Sequence, residues 1–430
     1  MRAPILQPEI LVIGAGPGGS TAAWALAQAG HDVLLVDGAE FPRDKTCGDG
    51  LTPMAVRTLR QIGVLPQVEA AGAARIDRVF ISGPLGVSAI MPFADHQPGA
   101  SYALVLPRFK LDEILRRHAV GGGAEYLGGV RVGQIERQAD HVVAVRGDTP
   151  AGVIEIRARH VVIAVGANMG LLKREGFITH RPRFIRAARA YYDNVFIEAD
   201  RYDFYFDLEL LPGYGWVFPT GDGRANIGVG ILPVFWSTRK PAAVLLEEFI
   251  ARRSKEGVLR GIRRASPIKG YPLRIDYPAQ RTAGANWVIV GEAAGLVNPV
   301  TGEGIDLAME SALIAARTLH EDISTGRRNH LAYQRELWER FGPMFSGLRI
   351  LRDILITPFF TDYALWLMRQ HGFLTRTVMS IAQGFWPPQE VFHPLFILQF
   401  FTPISPRLLA GGLGRLFQNG RRGKRMAGSG

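Results

Sequence analysis

The chain has 430 residues, 47% hydrophobic and 21% charged, enough for a large core and two or three domains. Its one cysteine excludes an internal disulfide and fits a reducing compartment. The formal charge is +11, and from Arg340 onward eleven Lys/Arg stand against three Asp/Glu. The surplus is thus gathered at the C-terminal end among bulky aliphatics, which does not make a polar nucleic-acid groove.

"ILVIGAGPGGSTAAWALAQAGHDVLLVD" (10–37) predicts a strand, a glycine turn, a helix and a second strand, the start of a βαβ unit. A strand this early leaves no signal peptide expected ahead of the fold. Gly14, Ala15, Gly16, Gly18 and Gly19 fall in G-x-G-x-x-G, with four apolar residues before and a helix after. In that context Gly14 permits the turn, Gly16 lets a pyrophosphate approach the backbone, and Gly19 lets the helix pack. The helix N-terminus offers free N–H groups to the phosphates, and Asp37 accepts from a ribose.

"FPRDKTCGDGLTP" (41–53) sets the only cysteine, Cys47, between Arg43 and Lys45 and the turn Gly48-Asp49-Gly50. A space-filling role and a chemical one are both open for it. "RFKLDEILRRHAV" (108–120) is helical by spacing, with Leu111, Ile114 and Leu115 on one face. "HVVAVRG" and "EIRARHVVIAVG" read as strands, the second ending in a glycine turn. Residues 184–232 alternate apolar with polar and are rich in aromatics, predicting a sheet with one covered face. "NWVIVGEAAGLVNPVTGEGIDLAMESALIAARTL" (286–319) returns to strand, turn and long helix.

"HPLFILQFFTPISPRLLAGGLGRLF" (393–417) is strongly apolar, broken by Pro394, Pro403 and Pro406, and followed by Arg421, Arg422, Lys424 and Arg425. That combination predicts an anchor on an anionic leaflet without a spanning helix. The last residues, 419–430, are basic and glycine-rich and are expected to be disordered.

The 286–319 unit resembles the second FAD fingerprint of the p-hydroxybenzoate hydroxylase-like flavoproteins, where a strand ends in Gly-Asp before a helix. Here Gly291-Glu292 stands in that place, one methylene longer. Gly302, Gly304 and Ile305 then open the helix where the flavin pyrimidine would lie. Together with "VIGAGPGGS", the cysteine block, "LPRFKLDEIL" and "YGWVFPTGDGRANIGVG", this resembles the geranylgeranyl reductases over about residues 10 to 325. Cys-Gly-Asp-Gly-Leu-Thr-Pro looks most like the branch that reduces one isoprene unit of the menaquinone tail.

The resemblance implies an α/β fold: a Rossmann-type FAD-binding domain, an inserted antiparallel β-sheet substrate domain and a C-terminal helical region. The expected FAD-binding domain is residues 1–80, 100–172 and 275–325, and the substrate domain 81–99 and 173–274. A membrane-proximal helical region takes 326–418 and the tail 419–430. It implies FAD as cofactor, with NAD(P)H or reduced ferredoxin as external reductant. The partners implied are an isoprenoid lipid substrate and an anionic membrane surface, with no nucleic acid. The enzyme is then expected in the cytoplasm, peripherally bound to the inner face of the cell membrane.

Residue by residue, Arg43, Arg108 and Val132 match cofactor positions, guanidinium forks suiting diphosphate oxygens. Cys47 and Gly48 match the turn beside the flavin. Tyr214, Trp216, Phe218 and Pro219 match the block lining the lipid cavity, although sheet core explains Trp216 and Phe218 equally well. One departure is Ala164-Val165-Gly166-Ala167-Asn168, with glycine where related hydroxylases carry an acid.

Saturating an isolated alkene needs a hydride on one carbon and a proton on the other, because an electron-rich alkene resists hydride alone. Cys47 is one candidate acid. Asp49 and a water held by the Glu303 loop are rivals. The alternatives in function are a flavin monooxygenase or halogenase on a lipophilic substrate, or a non-catalytic adaptor. In the halogenase place W-x-W-x-I-P this chain reads Tyr214-Gly215-Trp216-Val217-Phe218-Pro219.

Overall fold

In the computed structural model, which describes residues 4–93, 102–232, 238–327, 329–355 and 357–382, the apolar strand Ile10–Ile13 is central to a five-stranded sheet. The order is Trp287–Ile289, His160–Ile163, Ile10–Ile13, Val33–Val36 and Glu125–Leu127, and every neighbouring pair is parallel. Helices cover this sheet, so its central strands read as unbroken apolar runs rather than alternating ones. Helix Pro17–Gln28 starts at the glycine turn and packs against helix Ile305–Ser324, which starts at the second one. The two glycine units, remote in sequence, therefore open side by side at one end of the sheet.

The run 155–166, which the sequence suggests is one strand ending in a glycine turn, falls in two strands. Gly152–Ile156 lies in a four-stranded sheet with Ile5–Leu6, His141–Thr149 and Arg131–Gln138, whereas His160–Ile163 enters the parallel sheet. Ile156 pairs with Leu6 and His160 with Ile10, so the chain changes sheets between them.

The aromatic segment folds into an eight-stranded sheet whose order is Arg263–Arg264, Phe184–Asp193, Arg224–Ile231, Gly213–Gly221, Arg201–Tyr205, Arg78–Ser82 and Ser88–Pro92, with Lys269–Arg274 also on Phe184–Asp193. It is antiparallel except where Arg201–Tyr205 meets Arg78–Ser82. The chain enters it at Arg78, ahead of the expected boundary at 81. Both of its faces are covered, not one. Val217, Ile227 and Val229 face helix Ala242–Lys255 through Leu245, Leu246 and Phe249. Trp216, Phe218 and Tyr202 point the other way, as the two-residue period of a strand requires.

Helices Leu331–Leu355, Pro358–Gln370 and Gly372–Ala382 follow. Asp362 fastens the second of these to the sheet hairpin, accepting from the N–H groups of Leu85 (3.0 Å) and Val87 (2.8 Å). Among the described residues no helix is long and apolar enough to cross a membrane. The expected anchor at 393–417 and the basic tail lie outside the described residues.

Candidate active site

Two cavities meet at the residues singled out from the sequence. The first, about 290 Å³, runs from the glycine turn between the two helix N-termini. Gly14 sits at φ +103, and a Cβ there would lie 2.5 Å from the Ala164 carbonyl oxygen. At Gly19 a Cβ would overlap the Gly14 carbonyl, so both glycines are needed for strand and helix to close. Gly16 differs: a Cβ there would meet only Arg43 Nη2, at 3.7 Å, across open space. Open space of this kind beside a helix N-terminus suits a phosphate. The Asp37 carboxylate borders it, bracing the turn by accepting from Ala15 N (2.7 Å) and Ala39 N (2.9 Å).

Arg43 and Arg108 line the same cavity and share one carboxylate. The fully buried Asp112 accepts from Arg43 Nη1 (2.7 Å), Arg108 Nε (2.7 Å) and Arg108 Nη2 (2.7 Å). Burial alone would disfavour charge on Arg108, but Asp112, and then Cys47, hold it firmly protonated. Lys45 adds a third cation, stacked over the Tyr271 ring at 3.6 Å and hydrogen-bonded to its hydroxyl. Its pKa is pulled down to about 8 by burial, against the opposing charge of Glu292. A narrow cleft with three cations, two helix N-termini and an open glycine suits a dinucleotide diphosphate. The residues lining this cleft, Gly14, Gly16, Gly18, Arg43 and Arg108 among them, thus fit FAD.

At the far end stand Gly291 and Glu292. Gly291 has φ +61, and a Cβ on it would be 2.9 Å from that of Ala308. Glu292 Oε1 accepts from Arg274 N (3.1 Å), and burial pushes its carboxyl above the usual range. Val132, Gly302, Gly304 and Ile305 also line the cleft.

The second cavity, about 190 Å³, begins where the first ends. Thr46, Cys47, Gly302, Gly304, Ile305, Tyr271 and Leu273 line both. Tyr214, Trp216 and Phe218 form its far wall, with Tyr202, Phe204 and Phe206 beyond. A third, strongly apolar cavity of about 170 Å³ continues from those aromatics to Ala364, Leu365, Met368, Val378 and Met379 on the C-terminal helices. The three cavities thus adjoin one another from the cleft into the helical region, a shape that suits a thin apolar ligand.

The expected residues do not all land on a cavity. Cys47 and Gly48 do, with Gly48 tight against Phe218 and Trp216: a Cβ would lie 3.3 Å and 3.4 Å from their nearest atoms. Ala15, Gly19 and Pro219 line neither the cleft nor the aromatic cavity. Asp49 does not line either. It is fully buried at φ +66, and its carboxylate accepts from Arg108 N (3.1 Å), Tyr191 Oη (2.5 Å) and Asn226 Nδ2 (2.8 Å). Desolvation raises its pKa to about 6 despite those donors. Asp49 is placed to hold the cysteine loop rather than to face a ligand.

Sequence reasoning missed Asp112, Asn226, Lys45, Tyr271 and Arg189 and assigned Glu303 only a water. Asp112 had a signal, lying four residues after Arg108 on one helix face. Arg189 had none. Its guanidinium is buried in the wall of the second cavity, with Nη2 on Asp44 Oδ1 (2.7 Å) and with Nε and Nη1 unpartnered.

Comparison with known proteins agrees with this layout. Residues 7–183 match the FAD binding domain family and residues 184–263 the geranylgeranyl reductase catalytic domain. The menaquinone reductase of Mycobacterium tuberculosis is 35% identical over 367 residues, 82% of this chain and 85% of that one. Digeranylgeranylglycerophospholipid reductase 1 of Methanopyrus kandleri is 33% identical over 366 residues, covering 81% and 91%. The crystal structure of a geranylgeranyl bacteriochlorophyll reductase-like protein from Thermoplasma acidophilum superposes with TM-score 0.77 at 23% identity, over 88% of this chain and 96% of that one. A flavin-dependent brominase reaches 0.74 at 19% identity, covering 90% and 98%, a likeness of fold. With its FAD cleft, its aromatic cavity and relatives of this identity and coverage, the chain belongs to the geranylgeranyl reductase family of FAD-dependent oxidoreductases.

Proposed function

We propose that this enzyme saturates an isoprenoid double bond in the tail of a menaquinone. The observation that carries the reading is the shared lining of cleft and aromatic cavity at Thr46, Cys47 and the 302–305 turn. A prenyl chain has few polar handles and binds by buried area, at about 25 cal/mol per Å², which suits walls of Tyr202, Phe204, Tyr214, Trp216 and Phe218. Between the two lipid classes, the menaquinone tail is favoured by the Cys47–Pro53 block and by the greater identity to the menaquinone reductase.

Bound FAD, once reduced, supplies the hydride. The chain's residues do the rest. Arg43, Arg108 and Lys45 neutralise the diphosphate, and Gly16 gives it room. Cys47 would border both the cofactor and the alkene, its loop held by Asp49. The aromatic wall would exclude water and hold the alkene in place.

We also place the enzyme on the inner face of the cell membrane, peripherally. Helix Pro358–Gln370 lines the third cavity with Ala364, Leu365 and Met368 and turns Phe359 (66% exposed) and Trp366 (42% exposed) outward, with the half-buried Tyr363 ring stacked between them. Such a stripe suits the headgroup boundary of a bilayer. Flotation with anionic vesicles tests this: Phe359→Ser with Trp366→Ser is expected to weaken binding, and equal flotation would contradict it.

The direct test of substrate is lipid mass spectrometry of a deletion strain. Loss of the dihydro form of the menaquinone tail supports the assignment. An unchanged tail alongside altered glycerolipid chains would move it to the other lipid class.

A further inference from the structure

The Cys47 block does not hold the only acid at the junction. Glu303 lies in the turn before helix Ile305–Ser324 and lines both apolar cavities, the one beside Cys47 and the one beneath the C-terminal helices. It is thus the one carboxyl on the route that a prenyl chain would take between them, among the residues lining those two cavities. Its turn is braced twice: Asn298 N donates to the Glu303 carbonyl (2.7 Å), and Tyr214 Oη donates to the Thr301 carbonyl. The side chain has a fixed orientation, with Oε2 accepting from Thr301 Oγ1 (3.0 Å).

We propose that Glu303 is the acid that protonates the alkene. Asp306 is buried on the first helical turn and is itself held by Thr52 Oγ1 (3.0 Å) and Leu307 N (2.8 Å). Burial first, and then the negative charge of Asp306, raise the Glu303 pKa to about 8, with Thr301 acting the other way. A carboxyl kept neutral at pH 7 in an apolar site is a proton donor ready for use. The other ionisable groups on these walls are Tyr202, Tyr214, Tyr271, Cys47, Arg189 and Arg352. Burial pushes all three tyrosines well up, so none competes as an acid near neutrality.

The assignment rests on the prenyl-reductase reading, and its step balances. The π bond breaks, one carbon takes hydride from the reduced cofactor, and the other takes the Glu303 proton. Two electrons pass from cofactor to alkene. The Glu303 carboxylate left behind recovers its proton from water.

The test has two arms, both on FAD-loaded protein. In the first, infrared titration of the oxidised protein without substrate should show a protonated-carboxyl band at pH 7. It should be lost only above the ordinary carboxyl range, and Glu303→Gln should lack it. In the second, saturation of the tail is followed in anaerobic single turnovers, with the quinone head reoxidised in air before mass analysis. Glu303→Gln should slow it by about 10²- to 10⁴-fold, the usual worth of a general acid, while FAD affinity is kept. Glu303→Asp should restore part of the rate. An ionised Glu303 at pH 7, or a Glu303→Gln rate close to wild type, overturns the proposal. So does a loss confined to Cys47→Ala. If wild type saturates no prenyl lipid, the substrate reading fails instead, and the infrared band alone decides the state of the carboxyl.

Discussion

The side-chain amide of Asn226 donates to the carbonyl of Cys47 at 2.8 Å. The same Nδ2 donates to Asp49 Oδ2 at 2.8 Å, and Asn226 Oδ1 accepts from Trp216 Nε1 at 3.1 Å. One buried amide on the sheet therefore ties the cysteine loop of the FAD unit to the aromatic wall of the lipid cavity. The two halves of the active site are set in register by this residue.

Asn226→Ala should reveal that. It leaves the Asp49 carboxylate and the Trp216 indole short of a partner in a dry site, which costs about 1–3 kcal/mol for each group left unsatisfied. A lower unfolding midpoint together with weaker FAD binding is expected in denaturation and flavin-fluorescence titrations. Unchanged FAD affinity would separate the clamp from the cofactor.

The two kinds of glycine in the phosphate turn should part in behaviour. Gly19→Ala forces overlap with the Gly14 carbonyl and should leave no FAD-binding fold. Gly16→Ala meets nothing nearer than Arg43 Nη2 at 3.7 Å. It should fold normally yet bind FAD about tenfold or more weakly, equivalent to about 1.4 kcal/mol. Calorimetry of the cofactor-free variants beside FAD titrations reads both effects.

Asp112 holds two guanidiniums that would otherwise repel one another at the diphosphate. Removing one partner of a buried ion pair costs about 3–5 kcal/mol. Asp112→Asn should therefore lower stability in urea melts and also weaken FAD binding, while Arg116, paired with Glu113 on the same helix, serves as a control.

The phosphate turn was legible because its chemistry is local: a glycine at each fixed offset, between a strand and a helix. The second unit was legible for the same reason, down to Gly302 and Gly304. What escaped were partnerships across long sequence distances. Asn226 lies 177 residues from Asp49 in the chain, and Arg189 lies 145 from Asp44, so no spacing rule connects them. Glu303 showed only as a letter in a glycine turn, because its meaning depends on Asp306 and on the walls of two cavities. The break at Arg157–Arg159 was hidden because both halves of that run are apolar strands in different sheets.

Acid should weaken the back of the FAD unit. His160 and His330 meet there with Nδ1···Nε2 at 2.9 Å, and His330 Nδ1 lies 3.0 Å from Asp322 Oδ2. Burial, then the neighbouring His330, pull the His160 pKa from 6.5 to about 4. Burial lowers that of His330 as well, against the pull of Asp322. Folded values below the unfolded one mean that the unfolded chain holds more protons between pH 6.5 and 4. Their contribution is therefore full above pH 6.5 and is lost as the pH falls. Buried carboxyls such as Asp49 act in the opposite sense, so the comparison is between proteins. His160→Gln should flatten the acid side of a plot of melting temperature against pH. A parallel plot would contradict it.

The central claim is that FAD and a prenyl chain meet at Cys47 and the 302–305 turn. The most direct measurement loads the protein with FAD, reduces it without oxygen, and adds a menaquinone with an unsaturated tail. After reoxidation of the quinone head in air, the product tail should be heavier by two hydrogens and one double bond poorer. A tail of unchanged mass, or product carrying oxygen or halogen instead, would contradict the account.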